Sequence, residues 1–235
     1  MPKWLLLCAV ILLPIITSKP VVAEEVWRIT SLNWEPYSGA QLPGQGASIQ
    51  ALRALLQPHG IRLEVEFYPW RRAQMLAQSE GYIGYFPAWP EEVQPGFVGS
   101  SAIDYSHLAI VKRSNLPLHF SSLDALFREY RIGLVKTYVY PHYIADLIEK
   151  YPEQVIWAET EKALMRKLSI GRHPVAITDP KVMRYQVDQE QLPNIELHSI
   201  LEQTPLVIAL RNQGDNYIKI NRLQGIIQQK LESRH

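Results

Sequence analysis

Strand-like and helix-like patterns alternate along this chain from residue 25 almost to its end, and that order admits few folds. In "IRLEVEFY", Ile61, Leu63, Val65 and Phe67 fall on one side and Arg62, Glu64 and Glu66 on the other, the period of a half-buried strand. Just before it, "GASIQALRALLQPHG" puts Ile49, Leu52, Leu55 and Leu56 on one helical face and stops at Gly60. "EVWRITSL" (25–32) predicts a first strand, "PWRRAQMLAQSE" a short helix, and "GYIGYF" (81–86) a third strand. A β-α-β-α-β order requires a parallel sheet with crossover helices.

A second series follows the turn-rich "WPEEVQPGF". It runs strand "HLAIVKR", helix "SLDALFREY", strand "RIGLV", helix "PHYIADLIEKY", strand "QVIWA", helix "TEKALMRKLSIG", strand "VAIT" and helix "DPKVMRYQV". The chain closes with strand "PLVIAL" and an amphipathic helix from about Asp215, with Ile218, Leu223, Ile226, Ile227 and Leu231 expected on its buried side. With 235 residues, two α/β lobes are expected rather than one continuous sheet.

The N-terminus reads as an export signal. "MPK" carries one positive charge, "WLLLCAVILLPII" is an apolar run of signal length, and Val21 and Ala23 are the small residues before cleavage at Glu24. The run is shorter than the roughly 18–20 apolar residues of a membrane span. Cleavage would remove Lys3, Lys19 and Cys8, the one cysteine, leaving 22 basic and 23 acidic residues. Such a chain cannot rely on disulfides, and its near-neutral charge argues against a nucleic-acid partner.

Familiar catalytic and metal motifs are absent. The seven histidines form no HExxH or close pair, "GQGASI" lacks the third glycine of a dinucleotide loop, and there is no GxSxG. No catalytic residue, metal or cofactor is therefore assigned. Aromatic residues instead gather at segment ends: Trp34 and Tyr37 in "NWEPYSG", Trp70 in "YPWRRA", Tyr85 and Trp89 in "GYFPAWP", Tyr138 and Tyr140 in "KTYVYP". Ligands of open parallel sheets collect where strands end, so these residues predict a small-molecule cleft.

The order of "EPYSG", "GQGASIQALRALL", "PWRRAQMLAQSEGYIGYFPAW", "RIGLVKTYVY" and "VAITDPKVMRY" resembles the periplasmic solute-binding proteins of amino-acid (family 3) ABC importers. The resemblance implies a type II two-lobed α/β fold, each lobe a mainly parallel sheet flanked by helices. Lobe 1 would hold residues 24–111 plus 206–235 and lobe 2 residues 112–205, after a signal peptide at 1–23. It also implies a periplasmic monomer that closes on a small polar solute and delivers it to an ABC permease, with no catalysis. Tyr37 falls where the family places an aromatic over the ligand, Thr137 where a threonine opens a lobe 2 helix, and Asp179 where an ammonium group is held. Trp70, Tyr85, Trp89 and the loop hydroxyl Ser100 are expected from lobe 1, and Lys136, Thr137, Tyr138 and Asp179 from lobe 2.

One departure bears on the ligand. The family's lobe 1 arginine, which clamps an α-carboxylate, has no counterpart in "AWPEEVQPG", where Glu91 and Glu92 stand instead. Two ligand types stay open: a cation held by aromatics and glutamates, or an organic acid held by Arg71 or Arg72. Two other roles on the same scaffold are a soluble ligand sensor and a dehydratase resembling cyclohexadienyl dehydratases, with Glu35, Glu91 or Glu92 as general acid.

Overall fold

The computed structural model describes residues 25–233; the expected signal peptide at 1–23 lies outside the described residues. Among the described residues are nine strands and seven α-helices. β1 (Glu25–Ser31), β2 (Ile61–Phe67) and β3 (Gly84–Ala88) run parallel, in the order β2-β1-β3. They are linked by α1 (Ala47–Leu56) and α2 (Trp70–Leu76). Ile49, Leu52, Leu55 and Leu56 are all buried, so the apolar stripe of α1 packs on the sheet as its spacing requires.

β4 (Phe97–Gly99) and β5 (Asp104–Arg113) follow. The second series is α3 (Leu123–Glu129), β6 (Ile132–Val135), α4 (His142–Lys150), β7 (Val155–Ala158), α5 (Glu161–Ser169), β8 (Val175–Thr178) and α6 (Pro180–Glu190). Here β6 lies parallel to both β7 and β8. Ser122 and Thr160 cap α3 and α5 by accepting from the backbone three residues on, which fixes where both helices begin.

β9 (Ile195–Arg211) joins the two halves. Its residues 195–206 pair with β5, and its residues 207–211 pair with β3 and β4. β5, which the sequence division cuts at residue 111, pairs along its whole length with β9 and with β8 from Ala109 to Lys112. Both β5 and β9 thus lie at the junction of the halves, and the antiparallel pairings are theirs. Where β3 meets β9 the backbones are so close that a Cβ on Gly84 would lie 2.0 Å from the Ala209 carbonyl oxygen.

Three features depart from the pattern reading. The third strand begins at Gly84 rather than Gly81, and the last strand extends ten residues upstream of "PLVIAL". On α7 (Asn216–Glu232), Ile220, Leu223, Ile226 and Ile227 are buried, but Ile218 and Leu231 are 72% and 49% exposed. The packed stripe is narrower than the sequence suggests, because only the middle of this helix lies against the core. No described helix is long and apolar enough to cross a membrane.

Candidate functional site

The C-terminal ends of β1, β3 and β6 converge on a cavity of about 320 Å³ of atom-free space, part of it open to solvent. Its walls come from both halves. Leu32, Trp34, Trp70, Pro87, Trp89 and Glu92 belong to the first sheet, Thr137 and Tyr138 to the second, and Leu206 to β9. This is where ligands of open parallel sheets bind, but the room inside the walls is only about 20 Å³, space for a water molecule, so in this structure the cleft is shut down on itself and a solute requires it to widen.

The aromatic walls stand nearly at right angles. Trp34 meets Trp89 at 83° and Tyr138 at 86°, and Trp89 meets Tyr138 at 73° with centroids 4.9 Å apart. Trp34 also stacks on Tyr37 at 4.5 Å. The Trp34 indole Nε1–H donates to the Tyr138 hydroxyl at 2.8 Å, a hydrogen bond that crosses the cleft.

A second crossing bond joins two residues singled out in the sequence. The Tyr37 hydroxyl donates to Asp179 Oδ2 at 2.8 Å. Asp179 Oδ2 also accepts from the His107 backbone at 2.7 Å, and Oδ1 accepts from Lys181 and Val182 at the start of α6. The carboxylate is fully buried and its acceptor sites are engaged, so in this conformation it caps α6 and ties the halves together. Burial first, and then the Asp179 charge, raises the Tyr37 hydroxyl far above its ordinary range, so it stays a donor. Lys181 Nζ lies over the same ring at 5.3 Å.

Glu92 is the principal acid of the first half. It is 7% exposed, and its Oε1 accepts from Trp70 Nε1 at 2.9 Å while Oε2 accepts from the Trp89 backbone at 3.0 Å. Burial pushes its carboxyl up to about 7, against the pull of the Trp89 and Trp70 donors, and the charges of Glu91 and Glu161 add to the rise. Glu161 opens α5 on the other side. It is part-buried, with its carboxyl near Tyr138 and Trp34; burial raises it as well, and Glu35 contributes. Tyr138 is in turn held well above its ordinary range, chiefly by burial and then by Glu161.

The cavity therefore brings together Trp70, Trp89, Thr137 and Tyr138 from the sequence set, with Tyr37 and Asp179 in the crossing bond beside it. The remaining positions lie elsewhere. Tyr85 is buried beneath the site, where it accepts from Gln94 N and donates to the Glu92 carbonyl. Ser100 donates to Ser101 O and accepts from Ile208 N. Lys136 is exposed and pairs with Glu159 at 3.2 Å. Thr137 stands in a turn and does not open a helix: α4 begins at His142, behind Pro141, so no row of helix N–H groups faces the cavity there. Arg71 and Arg72 are on the exposed face of α2, with Arg72 5.4 Å over the Tyr68 ring, while Trp70 and Ala73 pack inward. Neither arginine lines the cavity.

No protein-family model matches the sequence, and no curated protein matches it. Solved structures do match in fold. A histidine kinase sensor domain with similarity to periplasmic binding proteins aligns at a TM-score of 0.74 and 17% identity, over 89% of this chain and 92% of that one. The substrate-binding protein of an amino-acid ABC transporter aligns at 0.65 and 14%, over 88% and 94%. An ancestral amino-acid-binding protein, described as a precursor of cyclohexadienyl dehydratase, aligns at 0.66 and 15%, over 88% and 89%. The chain has the two-lobed α/β fold of periplasmic binding proteins, the amino-acid-binding ones among them.

Proposed function

We propose that this protein is an exported receptor that captures a small polar solute by closing its two lobes, and delivers it to an ABC permease as a monomer. The observation that carries the reading is the pair of crossing hydrogen bonds, Trp34 to Tyr138 and Tyr37 to Asp179, beside a cavity walled by both halves. Groups on opposite lobes that meet only when the cleft is shut define a closed state, and a solute contacting both walls stabilises it by differential affinity. Cleavage at Ala23–Glu24 would release the chain into the periplasm.

Three tryptophans line the cavity, so solute binding should change intrinsic fluorescence and, with closure, shrink the radius of gyration in small-angle scattering. Solutes that alter neither signal are not ligands; a chain that responds to no small solute is not a receptor of this kind. Membrane pull-down separates the destinations, a permease supporting delivery and a receptor kinase supporting the sensor reading that the sensor-domain fold match favours.

The buried Glu92, with its carboxyl near 7, favours one second reading, a dehydratase-like enzyme with Glu92 as general acid. Turnover of a prephenate-like substrate, lost in Glu92→Gln, would support it; binding without turnover would exclude it.

A further inference from the structure

The charge and shape of the cavity narrow the solute class, on the reading that this cleft captures a solute. Its walls carry the π-faces and edges of Trp34, Trp70, Trp89 and Tyr138 and the carboxylate of Glu92, with Glu161 against Tyr138 and Trp34. None of its lining residues is basic. Of the cations nearest in sequence, Lys136 pairs with Glu159 and Arg72 lies over Tyr68, while Lys181 sits beside the site over the Tyr37 ring but does not line the cavity. A carboxylate entering this space would meet Glu92 and no basic residue in its walls. An organic acid held by Arg71 or Arg72, one of the two types the sequence leaves open, has no support in this geometry.

An organic cation meets the opposite conditions. The rings meet edge to face at centroid distances of 4.9–6.4 Å, so in the shut cleft they cover one another, and as it widens their faces become available to an ammonium group by cation–π attraction. Glu92 adds a negative charge when ionised, above about pH 7. Each of its oxygens accepts one N–H, and a quaternary ammonium group, which has no N–H to donate, would be attracted to it by charge alone. Those two donors also fix the carboxylate in place, so little ordering is needed on binding. Glu161, carried on the other lobe and outside the cavity lining, adds negative potential from beside Tyr138 and Trp34.

We propose that the solute is a small organic ammonium ion without a carboxylate, held between the Trp34–Trp70–Trp89–Tyr138 walls and neutralised by Glu92 and Glu161. Choline and tetramethylammonium are the probes, with the uncharged dimethylbutanol isostere of choline, glycine and glutamate as comparisons. Calorimetric titration of the full mature chain should give binding of the cations at least tenfold tighter than the isostere, and no heat from glutamate. Glu92→Gln should weaken cation binding at least tenfold, and Glu161→Gln, at a part-exposed helix start that does not threaten folding, at least threefold. Equal affinity for choline and its isostere would overturn the proposal, as would full cation affinity in both variants. Tighter binding of glycine or glutamate would overturn the cation class while leaving solute capture standing. If no probe and no dialysable extract of the periplasm changes fluorescence or radius of gyration, capture itself fails along with the cation class.

Discussion

Glu92 makes a prediction that can be worked out in detail. Its carboxyl stands at about 7 in the fold against an ordinary 4.5, so between these values the folded chain keeps a proton that the unfolded chain has released. Stability from this group is fully present below 4.5 and is lost as pH rises through 7. From about pH 5 to about pH 8 the loss comes to about 2–3 kcal/mol. His173 works in the opposite direction. It is fully buried and burial lowers it to about 4, so the unfolded chain binds a proton that the folded chain refuses, and stability rises with pH through the window from 4 to 6.5. Its contribution over the same interval is a gain of about 2 kcal/mol. The two oppose each other, and the comparison of variant with wild type isolates the Glu92 part because every other group is common to both. Glu92→Gln removes only the first. Relative to wild type, the variant should therefore lose about 2–3 kcal/mol more stability at pH 5 than at pH 8. Its absolute stability is a poorer guide, because the amide NH2 must face either Trp70 Nε1 or the Trp89 N–H, which costs about 1–3 kcal/mol. Adding Trp70→Phe removes one of those donors and keeps the comparison clean. Urea unfolding followed by far-ultraviolet circular dichroism reads the difference. A variant whose pH dependence matches the wild type within about 0.5 kcal/mol would refute the placement of Glu92 as a buried, proton-holding acid.

Four further outcomes are expected. Asp179→Ala strips two cap bonds from α6, the Tyr37 tie and the acceptor for His107 N–H, and should destabilise the chain by at least about 2–3 kcal/mol in urea unfolding. Tyr37→Phe leaves that cap intact but removes one crossing bond to a charged group, worth about 1.5–3 kcal/mol, and should shift the population toward open forms with a larger radius of gyration. Arg71→Ala and Arg72→Ala, on the exposed face of α2, should change stability by no more than about 0.5 kcal/mol and leave cation affinity within twofold. Cation affinity itself should fall about tenfold per pH unit below about 7, as Glu92 protonates with only Glu91 and Glu161 among the charges that shift it, and Glu92→Gln should flatten that dependence.

The fold was legible wherever burial imposes a period. β2 alternates because one side faces the core, and α1 repeats its apolar residues because one stripe does. Residues 195–204 of β9 were not legible: Leu197 and Ile200 are 40% and 47% exposed, so the segment carries no regular buried side, and its strand character comes from pairing with β5. In the site, the aromatics at strand ends pointed to the cleft because topology brings those ends together. Tyr85 did not reach the cavity because β3 is buried throughout, and its ring packs against Trp70 and Phe97 with its hydroxyl held by Glu92 O and Gln94 N. Glu161 was invisible in the sequence because an acid in the first turn of a helix is ordinary, favoured there by the helix dipole whatever else it does. Asp179 shows the reverse: its position marked it for ligand contact, and its hydrogen bonds in this structure are to Tyr37, His107 and the start of α6.

The central claim, a cleft that shuts on a small solute, is tested most directly by native mass spectrometry of the mature chain equilibrated with the dialysable fraction of its own periplasm. The account predicts one small adduct per chain, carrying positive charge when released, and lost when Trp34 and Trp89 are both replaced by alanine. A chain that stays bare, or that holds the same adduct with those walls removed, would contradict it.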